Sequence, residues 1–140
     1  MADLTVTASQ VAFVSGTRKT VLAGATITAG QTVYLDVSAG SYKLAQTDGT
    51  AEEAGSGDVG IALSGASSGA YFVIQDTGTI TIGAGAAPTV GEAYFVSKTA
   101  GGIAPDADIV TTNTYRTYLG IGNSTNTLTL QIHVSGAQVA

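Results

Sequence analysis

Apolar and polar residues alternate along most of the chain. From Leu4 to Val14 the order Leu-Thr-Val-Thr-Ala-Ser-Gln-Val-Ala-Phe-Val sets Leu4, Val6 and Ala8 on one side and Thr5, Thr7 and Ser9 on the other. A period of two predicts a half-buried strand. Ser15 to Thr20 reads as a turn-rich break. Thr20 to Val37 holds short strand candidates around Gly24 and a turn at Ala29-Gly30. Val59 to Pro88 reads as strand, Gly-Ser turn, strand, Gly turn, strand, and Thr114 to Ala140 as strand, polar turn, strand. Helical periodicity is poor throughout. The polar stretch Asp48 to Asp58 offers one exception: Thr50 followed three residues on by Glu53 predicts a capped helical turn over Thr50 to Ala54.

The pattern occurs twice. Gly30 to Asp48 runs Gly, polar residue, Tyr, apolar run, small-Gly turn, segment ending in Asp, and Gly91 to Asp108 repeats that order. Tyr34 matches Tyr94. Val59 to Ser64 (VGIALS) matches Leu119 to Ser124 (LGIGNS), and Tyr71 to Gly78 matches Thr129 to Gly136. Two copies are too few for a solenoid but suit a compact barrel or sandwich in which each unit covers the other's apolar face. The expectation is an all-β fold built from two similar β-units with an extended N-terminal arm. Residues 1–14 form the arm or strand, and 15–140 form a single β-domain with repeats at about 30–83 and 91–140. On this pairing Gly60 and Gly120 begin equivalent strands, and Ile61 and Ile121 both belong in the core.

The arm precedes the first copy, so neither unit needs it to complete its pattern. An isolated strand of this kind is marginal unless paired. The arm is therefore expected to pair outside its own repeat, closing the barrel edge or crossing to a neighbour, with Leu4, Thr5, Val6 and Thr7 as capsid or neighbour contacts.

Composition narrows the chemistry. Charged residues are 11% of the 140, and the five cations Arg18, Lys19, Lys43, Lys98 and Arg116 are scattered within a net charge of −5. No basic stripe exists to neutralise successive phosphates, so nucleic acid is not an expected partner. There is no Cys, which excludes disulfides and thiolate metal sites. The first residues carry no basic region followed by an apolar run, so no cleaved export signal is expected, and no stretch has the length of a membrane-spanning helix.

No set of residues points to catalysis. His133 is the only histidine; alternation sets it out of phase with Ile132 and Val134, as an exposed strand position or interface. The serines form no Gly-x-Ser-x-Gly elbow. Gly83 to Pro88 (GAGAAP) lacks the Lys-Ser/Thr ending of a phosphate loop. Asp106 and Asp108, and the acids of Asp48 to Glu53, lack the spacing of a calcium loop and read as solvated turn acids. Asn123 to Thr125 is a formal glycosylation sequon that reads as a hairpin turn. Tyr115 and Tyr118 are the best candidates for a surface aromatic patch, although their spacing puts them on opposite strand faces. No enzyme, cofactor or metal is expected.

With these readings in place, the stretches MADLTVTASQVAFVSG, ITAGQTVYLD, YKLAQTD, GIALSGASSG and GGIAPDADIVT…YLGIGNSTNTLTLQIHVSGA together resemble small head proteins of tailed bacteriophages. These are the capsid decoration or cement proteins, some of them called head fibre proteins. The likeness covers nearly the whole chain, and its motifs are turns and strands. It implies a β-rich, non-enzymatic virion protein, made in the bacterial host cytoplasm. Such a protein sits on the outer capsid surface, binds the major capsid protein and holds capsomers together. It also implies a homo-oligomer, with a trimer favoured and a dimer as the other possibility. It transfers no site residue. The competing class is a receptor- or carbohydrate-binding β-module of a virion surface fibre.

Overall fold

The structure, a computed structural model, describes residues 3–83, 85–105 and 115–138. Strands make up 49% of the chain and helix 2%, so the fold is all-β. The strands are β1 (Ala12–Phe13), β2 (Thr17–Leu22), β3 (Thr32–Asp36), β4 (Ser41–Leu44) and β5 (Val59–Ala62). They continue as β6 (Tyr71–Thr81), β7 (Ala93–Val96), β8 (Ile103–Pro105), β9 (Tyr115–Gly122) and β10 (Thr127–Gln138). All ten join one curled antiparallel sheet that forms a half-barrel.

The order across the sheet is β4-β3-β5-β6-β10-β9-β7-β8. It reads the same from either end: a hairpin, then the third strand, then the long fourth strand, with β6 and β10 meeting in the middle. The turns entering the two units also match in detail. Gln31 N–H donates to Thr28 O at 3.1 Å, and Glu92 N–H to Thr89 O at 3.1 Å. Gly30 N–H donates to Ala62 O and Gly91 N–H to Gly122 O, both at 2.8 Å. Gly30 and Gly91 have φ of 91° and 82°, a region that only glycine enters without strain.

The main core lies inside the curl and draws on both units: Tyr34, Val59 and Ile61 from the first, Tyr94, Val96, Ile103, Leu119, Leu128 and Leu130 from the second. Backbone bonds tie the far edges together. Thr32 N–H donates to Gly101 O (3.0 Å), Gly101 N–H to Ala45 O (2.8 Å), Thr47 N–H to Ser97 O (3.1 Å) and Tyr115 N–H to Thr47 O (2.7 Å). The polar connector after Thr47 carries the expected helical turn, with Glu53 N–H donating to Thr50 Oγ1 (3.2 Å) and Thr50 N–H to Glu53 Oε1 (3.0 Å). Thr117 Oγ1 donates to Ala54 O at 2.5 Å, which seats that turn over the second unit.

Four sequence expectations need correction. Ile61 is fully buried, but Ile121 is 41% exposed. The cause is a one-residue slip in β9. Tyr94 lies opposite Gly120, whereas Phe95 lies opposite Tyr118, so β9 carries an extra residue at Leu119-Gly120. Side chains alternate with a period of two, so one extra residue turns the residues after it to the other face. Leu119 stays in the core and Ile121 turns outward beside Ala93. The second correction concerns Thr17 to Thr20, which is strand and not turn. The four residues are polar because they are exposed on β2, an edge strand paired to β6. Third, Gly78 ends no strand; β6 runs through it to Thr81. Fourth, Leu4 to Val11 is no ladder strand. It makes single backbone bonds, Leu4 N–H to Ile103 O (2.8 Å) and Thr7 N–H to Ile82 O (3.4 Å), and a 3-10 turn at Ala8–Gln10.

Candidate cleft at the fork of the sheet

β6 changes neighbours along one of its edges. Its first half pairs with β5 through Ile74 and Gln75, and its second half with β10 from Thr77 to Thr81. β5 departs just where β10 arrives, so Asp76 and Thr77 sit at a fork. The other edge of β6 carries β2 and β1, with a bulge where Thr17 lies opposite Thr77 and Arg18 opposite Gln75. Gln75 fills the bend from behind. Its amide Nε2 donates to the carbonyls of Ser15 (2.8 Å), Thr77 (2.9 Å) and Thr79 (3.0 Å). Its Oε1 is buried without a partner.

A cleft of about 490 Å3 opens at the fork. One wall is the Gly55 to Asp58 loop leading into β5; the other is β10 from Leu130 to Val134; Asp76 and Thr77 lie at its apex. Leu130 belongs to the core, and Ile132 and Val134 pack against it half-buried, so that wall carries three apolar side chains with the exposed Gln131 between them. The carboxylates supply the polar end.

The two carboxylates are held differently. Asp58 pairs with Lys19 at 2.5 Å and accepts the Tyr42 hydroxyl proton. Burial acts to raise the Asp58 pKa, but the bonds from Lys19 and Tyr42 and the lysine charge outweigh it and hold the carboxyl below its usual range. Tyr42 is pushed up to about 12, first by burial and then by its bond to the Asp58 carboxylate. Lys19 is raised: burial opposes its charge, and Asp58 more than compensates. Asp76 takes only the Thr17 hydroxyl, at 2.5 Å on Oδ1, and among the described residues no cation lies within ion-pair distance of it. These groups escaped the sequence reading because Lys19, Tyr42 and Asp58 are far apart in the chain. The one local signal was an acid set directly before the apolar run Val59 to Leu63.

The residues singled out in the sequence fall elsewhere. Leu4 and Val6 pack against the chain's own core, Thr7 is half-buried, and Thr5 alone of the four is exposed. His133 is exposed on β10, opposite Tyr118. Tyr118 packs edge-on against Phe95, ring centroids 5.7 Å apart, and Arg116 lies 4.6 Å from the centre of the Phe95 ring. Tyr34 and Tyr94 are buried, whereas Tyr71, at the start of β6, is 72% exposed. Asp106 and Asp108 lie outside the described residues. Among the described residues no three of His, Asp and Glu gather at a metal-binding distance, and no helix is long and apolar enough to cross a membrane.

The fork offers a strand edge, a wall with three apolar side chains, and a carboxylate that has no cation at ion-pair distance among the described residues. Compared with models of known protein families the chain matches none, and no curated protein sequence matches it.

Proposed function

We propose that the chain is a structural virion protein that binds the outer surface of an assembled phage head and holds neighbouring capsomers together. The observation that carries this reading is the form of the cleft: an open strand edge on β10 faces a wall whose Asp58 is held in an ion pair with Lys19 and a hydrogen bond from Tyr42. That arrangement suits docking rather than turnover. The likeness of nearly the whole chain to capsid decoration proteins supplies the partner, the major capsid protein, and favours a homotrimer. Many copies on one head let modest contacts sum.

Co-sedimentation of purified protein with expanded heads, beside native mass spectrometry of the free protein, tests the reading. Saturable binding to heads is expected. Failure to sediment with heads, together with retention on a glycan array, would replace it with a receptor-binding module.

A further inference from the structure

The fork leaves one stretch of β10 with a single neighbour. Pairing with β6 stops at Gln131, and pairing with β9 continues beyond it through His133 and Val134. From Ile132 to Val134 the edge that faced β6 has no strand against it among the described residues. An open edge of this kind accepts a further strand through main-chain hydrogen bonds. The β10 side of the cleft beside it is lined by Leu130, Ile132 and Val134 with Gln131 among them, and the cleft ends at Asp76.

We propose that this cleft docks an extended, basic segment of a partner chain. The segment adds as a short strand along Ile132 to Val134. A Lys or Arg side chain lays its aliphatic stem over Leu130, Ile132 and Val134 and brings its cation to Asp76. Three observations select this occupant. The edge demands backbone, the wall demands an apolar stem, and Asp76 holds a hydroxyl but no cation. Long basic side chains satisfy the last two together, because the stem is apolar and only the tip is charged. The net charge of −5 favours a basic partner at longer range. Asp58, on the opposite wall, already has Lys19, so Asp76 is the carboxylate free to take the incoming charge. The naming of the partner as a capsid chain rests on the proposed function; the chemistry of the cleft does not.

The test uses the full chain and two capped peptides of alternating Thr and Val, one with a central Lys and one with norleucine in its place. Backbone amide shifts are followed by NMR at millimolar peptide. The Lys peptide is expected to move the amides of Thr77 and of Gln131 to Val134, with binding at least fivefold weaker for the norleucine peptide and for Asp76→Asn. Asp76→Asn should melt as the parent does. On heads, Asp76→Asn should be released at lower salt than the parent. The proposal is overturned if the Lys peptide leaves those amides unmoved, or moves them equally in Asp76→Asn. It is overturned too if the same amides shift with protein concentration alone, which would give the edge to a second copy. If the Lys peptide binds as expected but the protein never sediments with heads, the cleft stands and the head reading falls.

Discussion

Asp58 in the first β-unit stands where the second has Tyr118. Leu35 N–H donates to Asp58 O at 3.1 Å, and Phe95 is the ladder partner of Tyr118. Around these matched positions the outer faces are built differently. In the first unit, residues ahead of the repeat fold back over the sheet. Ala23 and Ile27 join Val33, Tyr42, Ala62, Phe72 and Ile74 in a second apolar layer, and Lys19 reaches Asp58 at its border. In the second unit the described outer layer has two buried members, Phe95 and Ala104, with Ala93 and Tyr118 beside them and Arg116 against the Phe95 ring. Val90 and Ile121, on the same unit, are 66% and 41% exposed. Two units with one strand order therefore need not share one environment. What differs is the chain available to cover each.

The sharpest way to break the comparison is the isoleucine pair. Ile61→Ala empties a fully buried site and is expected to cost about 2–5 kcal/mol. Ile121→Ala, at the matching sequence position, should cost about 0.5 kcal/mol because water already reaches it. Urea denaturation of both variants decides. Equal losses would mean that the β9 bulge does not turn Ile121 outward.

The glycines just before them give the reverse ranking. A Cβ at Gly120 would lie 2.0 Å from Thr129 O, a backbone atom. At Gly60 the nearest atoms, Gln75 O and Ile74 Cδ1, are both 3.1 Å away, and only the second can yield cheaply. Gly120→Ala is expected to cost about 3 kcal/mol and Gly60→Ala about 1 kcal/mol. Thermal melting would reveal a failure of this order.

The borrowed layer on the first unit offers a third test. Ile27 precedes the repeat yet is 3% exposed within that layer. Ile27→Ala should cost about 2–4 kcal/mol, as a residue of the sheet itself would. A loss near that of Ile121→Ala would show that residues 21–27 are a loose wrap.

The smallest expected effect is a dependence on pH confined to the first unit. Asp58 has a lowered folded pKa, so its stabilisation is present above the ordinary carboxylate value near ~4 and is lost as pH falls below it. Tyr42 has a raised one, so its contribution is full below pH ~10 and is lost as pH climbs towards its value of about 12. Asp58→Asn should flatten part of the acid limb, and Tyr42→Phe part of the alkaline limb, of urea midpoints plotted against pH. Tyr118→Phe should change neither slope. An acid limb unchanged in Asp58→Asn would mean that the Lys19 pair contributes nothing measurable.

Much of the fold was legible because strands announce themselves locally. The strands around Val59 to Ala62 and from Tyr71 up to the expected turn at Gly78, and the Gly30 and Gly91 turns, follow from apolar runs bounded by glycine and from the backbone freedom of glycine. The Thr50 to Glu53 capping pair spans one turn and was equally readable. The cleft was not legible, because it is made by strand departure. Nothing near Asp76 says that β5 leaves β6 there and β10 takes its place. Nor does anything near Lys19 say that it meets an aspartate 39 residues away. Leu4 and Val6 were placed on the correct side of the arm, but composition alone could not say whose core they would meet.

The sequence by itself determined the class of structure and its twofold order of strands, since both depend on contacts within a hairpin and on turn chemistry at fixed spacings. Only the tertiary structure decided which face each residue occupies after Leu119, which unit receives the spare apolar chain, and where the sheet forks. Those outcomes depend on a single bulged residue and on competition between strands for one edge of β6. Both are settled by packing between segments distant in the chain, where local propensity is silent.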